Sequence, residues 1–141
     1  QGLPSNLHKL PSLQKLELFD CPEIQYFPEE GLPPSLQRLW VRRCTKLQGL
    51  PSNLHNLPSL QELELTKCPE IQSLPSNMHN LPSLKNLELN DCPNIRVLPE
   101  GGLPKSLWQL YICGCPSLMS YREGGPNHHK IASIPTVWIF D

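Results

Sequence analysis

Residues 50–75, LPSNLHNLPSLQELELTKCPEIQSLP, end on the Leu-Pro pair that opens them, and SNMHNLPSLKNLELNDCPNIRVLP then restates the same words. The underlying pattern is L-x-x-L-x-L-x-x-C-x-x-I/L-x-x-L-P. Copies begin at Leu13, Leu36, Leu60, Leu84 and Leu107, at intervals of 23, 24, 24 and 23 residues. A shortened copy follows 27 residues later as Ile134, Val137 and Ile139. Within each copy the run x-x-L-x-L-x-x alternates with period two, which predicts a strand with its leucines on one face. One such strand cannot bury that face alone. Stacking copies about 4.8 Å apart builds a parallel sheet with a continuous core behind it.

A fixed period of this length is the signature of a leucine-rich-repeat solenoid. The expected class is α/β by convention, with one parallel sheet of about six strands on a concave face. A single domain over 1–141 is expected, begun in the middle of a repeat and so part of a longer chain. Each strand is followed by a return segment of roughly 15 residues. That return is too broken for a long helix. PSNLHNLPS offers Ser or Asn as a cap and then a proline within one or two turns. PEEGLPPS and PEGGLPKS are less helical still, so short 3₁₀ or irregular convex segments are expected.

Seventeen of the 141 residues are proline, far above the average of about 5%. They recur at fixed offsets in Leu-Pro and Cys-Pro pairs, so they belong to the architecture rather than to disorder. The formal net charge of −1 points to neither nucleic acid nor an acidic membrane as a bulk partner. No apolar run approaches the roughly 20 residues of a membrane span. QGLPSNLHKL lacks the apolar stretch of a signal peptide.

Cys21, Cys44, Cys68, Cys92 and Cys115 hold one slot of successive repeats. This spacing predicts a buried ladder of free thiols donating to backbone carbonyls rather than a disulfide framework. Free thiols imply a reducing compartment, hence cytoplasm or nucleus. The absence of any N-x-S/T sequon agrees with that. Cys113 falls at an outward position, as an exposed thiol. His8, His55 and His79 share a convex slot, and His128 and His129 sit in the last loop. No Cys or carboxylate pattern completes a tetrahedral set around them, so no metal is expected. No nucleophile, base and orienter are brought together by the spacing, so no catalytic site is expected.

Function is then expected on the outward strand residues, which form columns across the sheet. The centre column reads Glu17, Trp40, Glu64, Glu88, Tyr111, Trp138, and the next reads Phe19, Arg42, Thr66, Asn90, Cys113, Phe140. Flanking positions include Lys15, Arg38, Glu62 and Trp108, with Asp20, Arg43, Lys67 and Asp91 further along. Trp40 with Arg38, Arg42 and Arg43 makes a basic, aromatic spot flanked by Glu17, Glu62, Glu64 and Glu88. Exposed Trp and Arg are enriched at interface hot spots. The competing reading pairs Arg42 and Arg43 with neighbouring carboxylates and lays Trp40 over leucine stems. Trp108, Tyr111, Trp138 and Phe140 form a second aromatic group, expected mainly to cap the last strand.

LxxLxLxxCPxIxxLP combined with LPSNLHNLPSL resembles the C-terminal leucine-rich repeats of plant intracellular nucleotide-binding leucine-rich-repeat (NLR) disease-resistance proteins of the coiled-coil type. The ending KIASIPTVWIF is similar to the last strand of such receptors. The likeness covers the whole chain, with departures at Thr45, where Pro is usual, and after Leu118. It implies a module that recognises a pathogen effector or a guarded host protein and packs on a nucleotide-binding module to hold the receptor off. No phosphate loop G-x-x-x-x-G-K-[ST] occurs in the chain, so no ATP, ADP or other cofactor is expected on it. No small-molecule substrate is expected either. F-box ubiquitin-ligase adaptors also carry Cys in the ladder slot, and bacterial effector ligases share the LPxSLxxLxV…LP pattern of LPPSLQRLWVRRCTKLQGLP.

Overall fold

The computed structural model describes residues 3–141; the proposed domain start at residue 1 lies outside the described residues. Six strands form where the alternation predicts them: β1 (Lys15–Phe19), β2 (Arg38–Arg42), β3 (Glu62–Thr66), β4 (Asn86–Asn90), β5 (Gln109–Cys113) and β6 (Thr136–Phe140). All pair in parallel, in chain order, within a single sheet. Five 3₁₀ segments accompany them, at Leu7–Lys9, Leu54–Asn56, Met78–Asn80, Pro116–Tyr121 and His128–Lys130. Proline in every return segment removes a backbone donor and stops a helix from propagating.

The register is the one that the repeat spacing predicts. Leu39 lies opposite Leu63, Leu63 opposite Leu87 and Leu87 opposite Leu110. Behind the sheet, Leu36, Leu60, Leu84 and Leu107 are buried, as are Leu47, Ile71, Ile95 and Leu118 further along each return. Burial of this kind removes apolar side chains from water at about 25 cal/mol per Å². It is complete only in the middle copies. Leu16 on β1, and Val137 and Ile139 on β6, are partly covered. Tyr121 stands where the fifth copy lacks its Leu-Pro. Its ring is buried, and its hydroxyl accepts the Leu98 N–H at 3.1 Å.

Each strand of β1 to β4 is followed by a non-glycine residue with positive φ: Asp20 at 57°, Arg43 at 55°, Lys67 at 55° and Asp91 at 52°. This left-handed conformation costs roughly 1–2 kcal/mol per residue. It is held because each N–H still donates to the next copy, from Asp20 to Arg42 O at 2.9 Å and from Arg43 to Thr66 O at 2.8 Å. One residue further on, the cysteines turn inward. Cys44, Cys68, Cys92 and Cys115 are buried, and Cys21 is half-buried at the first copy. Each buried thiol donates to a carbonyl of the preceding strand, as Cys44 does to Leu18 O at 3.7 Å and Cys68 to Val41 O at 3.8 Å. Burial pushes the Cys44 thiol up to about 11 and raises that of Cys68, keeping both protonated donors at neutral pH.

The expected Ser or Asn helix caps do not form. Asn6, Asn53 and Asn77 stand at the cap positions, yet none caps its 3₁₀ turn through its side chain. The Asn53 amide reaches across to the preceding copy instead, accepting from Leu32 N at 3.0 Å and donating to Leu32 O at 2.9 Å. Serines just ahead of the strands make a second set of links. Ser35 donates to Leu13 O at 2.6 Å, Ser83 to Pro58 O at 2.7 Å and Ser106 to Leu84 O at 2.7 Å.

Candidate functional site

The outward columns run as the alternation requires. Glu17, Trp40, Glu64, Glu88, Tyr111 and Trp138 are successive partners, and so are Phe19, Arg42, Thr66, Asn90, Cys113 and Phe140. Lys15, Arg38 and Glu62 continue through Asn86 and Gln109 to Thr136. Trp108, expected among the flanking residues, stands just outside the strand. It precedes β5 by one residue, its N–H bonds to Lys85 O, and its carbonyl accepts from Thr136 N. In that flanking column the partner of Asn86 is Gln109. Trp108 is 61% exposed at the margin of the columns.

The basic, aromatic spot on β2 is internally paired. Arg42 grips Glu64 with two hydrogen bonds, Nε to Oε2 at 2.7 Å and an Nη to Oε1 at 3.0 Å. The Arg42 guanidinium also lies 5.1 Å from the Phe19 ring and 5.1 Å from the Trp40 ring. Arg38 covers Trp40 at 4.5 Å, so two cation–π contacts enclose that indole. Arg43 makes a two-point contact with Asp20 at 2.6 and 3.2 Å. Arg38 Nε lies 3.2 Å from Glu62 Oε1, a charge contact with no hydrogen bond at that nitrogen, and its Nη is 3.9 Å from Glu17.

Two expectations for this spot change. Trp40 is half-buried beneath the arginines rather than a large ring open to water. Glu64 points outward in register but is only 7% exposed, because Arg42 and the Thr66 hydroxyl, 2.9 Å from Oε2, close over it. The pairing half of the competing reading therefore describes Arg42 and Arg43. Glu64 also raises the Arg42 guanidinium above its ordinary value, through the hydrogen bond first.

Beyond β3 the face changes character. A depression of about 140 Å³ is lined by Trp40, Glu62, Glu64, Asn86, Glu88 and Gln109, with Leu63 at its base. Asn90 donates to Glu88 Oε2 at 3.0 Å. Further on the rings gather: Tyr111 lies 6.1 Å from Phe140, and Trp138 stacks on Phe140 at 6.1 Å with 19° between planes. Trp138 and Phe140 project from the face beside Tyr111 and stay about half exposed, at 51% and 45%. Both rings also line a groove of about 540 Å³ at the β6 edge, together with Ile134, Val137 and Ile139.

Among the described residues, no group of three or more His, Cys, Asp or Glu is placed to hold a metal ion. No helix among them is long and apolar enough to cross a membrane. Comparison with protein-family models, curated proteins and solved structures finds no match for this chain.

Proposed function

We propose that the chain is a leucine-rich-repeat solenoid whose outward sheet face recognises another protein, as the repeat module of a plant intracellular immune receptor working in the cytoplasm or nucleus. The observation that carries this reading is the two-faced sheet. The inward columns are packed through the middle copies, while the outward face leaves Phe19, Trp138 and Phe140 exposed, with Phe19 beside Arg42 and Trp138 and Phe140 beside Tyr111. Aromatic rings beside polar groups on a rigid surface are the composition of interface cores. The partner in this reading is a pathogen effector or a guarded host protein. The same face, or its edge, packs on a nucleotide-binding module in the resting receptor.

Phe19→Ala and Trp138→Ala are suited to the test, since both side chains are exposed and neither fills the core. Placed in the receptor and scored for cell death in leaf tissue at matched protein level, they are expected to abolish the response to the cognate trigger. Death without a trigger would assign the face to autoinhibition instead. A wild-type response from both variants would sink the recognition reading.

A further inference from the structure

We propose that β6 pairs edge to edge and antiparallel with β6 of a second copy of this chain, with Trp138 facing Trp138 across the two-fold axis. The backbone sets the phase. Thr136 donates its N–H to Trp108 O at 3.0 Å, and the Phe140 carbonyl accepts from Gly114 N at 3.2 Å, so both residues turn their backbone groups toward β5. Strand alternation then aims the N–H and C=O of Val137 and Ile139 away from β5. On β2 the same outward phase carries the Arg43 N–H to Thr66 O and lets the Gln37 carbonyl accept from Gln61 N. Among the described residues no strand pairs beyond β6, so its outward groups meet no further copy. Such an edge is normally blunted by a lysine, a proline or a bulge. Thr136–Phe140 reads TVWIF in unbroken register with β5 and holds none of these.

A second copy is the occupant because the strand matches itself. Pairing centred on Trp138 sets Val137 against Ile139 of the second copy, where the outward groups exchange both hydrogen bonds of an antiparallel pair. Trp138 then falls in the intervening site without hydrogen bonds, where side chains stand closest and aromatic pairs stabilise. Moving the centre to Val137 would oppose Ile139 to Pro135, which has no N–H to give. Moving it to Ile139 would oppose Val137 to the charged Asp141. Charge permits the match, since residues 131–140 carry no charged side chain and no like-charge pair forms along the strands. Arg122 and Glu123, at the polar end of the adjoining groove, have opposite signs and no ion pair within the copy, so the groove meets its duplicate without net repulsion. On the core side, Val137 and Ile139 are only partly covered, and the groove of about 540 Å³ beside them is lined by Ile131, Ile134 and Pro135. The second strand brings apolar side chains to that groove.

Sedimentation equilibrium of the purified chain tests this. The mass is expected to rise with concentration from 16.0 kDa toward twice that value and no further. Trp138→Lys and Trp138→Glu, each alone, should raise the dimer dissociation constant about tenfold or more, because like charges then face each other across the axis. An equimolar mixture of the two variants should restore the dimer, since unlike charges then meet. The core survives both changes: Trp138 is 51% exposed, and glutamate stands in the same column on β1, β3 and β4. In the wild-type chain the Val137 and Ile139 amides should exchange more slowly as concentration rises, while those of β3 do not change; this measurement decides should either variant fail to fold. A monomer at every concentration overturns the proposal. So does growth beyond the dimer, which would mark head-to-tail addition of β1 to β6. A dimer that either charged variant leaves intact, or a mixture no more associated than its components, overturns it as well. The receptor's response to Phe19→Ala has no bearing on these masses, so the recognition face and the edge pairing stand or fall separately.

Discussion

Arg42 contacts three neighbours at once: the Glu64 carboxylate, the Phe19 ring and the Trp40 ring. Removing it leaves a nearly buried carboxylate with the Thr66 hydroxyl as its remaining direct partner. Orphaning a fully buried charge costs several kcal/mol, but over a third of the Arg42 side chain is exposed, so water shares the load. Arg42→Ala is expected to lower stability by about 1–2 kcal/mol, read as a lower urea midpoint. Arg43→Ala removes a pair with similar geometry whose members are both exposed. It should leave the midpoint unchanged within error, since exposed pairs contribute little. Equal losses from the two variants would show that burial of Glu64 is not the cause. The Arg43 guanidinium, through its hydrogen bond first, holds the Asp20 carboxyl below the usual range. Whatever this pair contributes is therefore present at neutral pH and is lost as pH falls through the depressed value.

At the scale of elements, the return segments are held by contacts between copies as well as by the hydrogen bonds of their own turns. The Asn53–Leu32 pair is the clearest case, because it satisfies both backbone groups of a buried residue. Asn53→Ala should cost about 1–3 kcal/mol, the range for a buried donor and acceptor left unmet. Gly31 immediately precedes Leu32. It has φ of +84°, and a Cβ there would run into the Asn53 side chain. Gly102 has a similar φ of +93° but open space at its Cβ. Gly31→Ala should therefore destabilise more than Gly102→Ala, whose cost is the left-handed strain of about 1–2 kcal/mol. In an Asn53→Ala background the excess should disappear, since the group that clashes is gone. A melting series over the three single variants and the double mutant checks this, and a persistent excess would place the cost in the Gly31 backbone alone.

Across the whole molecule each strand touches mainly its sequence neighbours, so stability is close to a sum over copies and their interfaces. Leu39, Leu63, Leu87 and Leu110 are buried, while Leu16 and Val137 on the end strands are partly exposed. Native-state hydrogen exchange should therefore show the slowest amides in β3 and β4, with protection falling toward β1 and β6. Uniform protection over all six strands would mean that opening is global and that the ends are as firmly held as the middle.

Strand positions, register and the identity of the outward columns were readable from the sequence alone. Period-two alternation sets which face a side chain takes, and a repeat of 23 or 24 residues sets which residue stands beside it. The cysteine ladder was readable for the same reason, since one slot repeated at one period must stack. The tertiary structure decided how much of each outward side chain remains exposed. Glu64 is hidden by Arg42, Trp40 is enclosed by Arg38 and Arg42, and Asn53 serves the preceding copy instead of its own turn. These outcomes depend on which long side chain bends toward which neighbour on the adjacent strand, about 4.8 Å away in space. Periodicity determines direction and neighbour, but exposure is settled only when the neighbouring side chains compete for the same contacts.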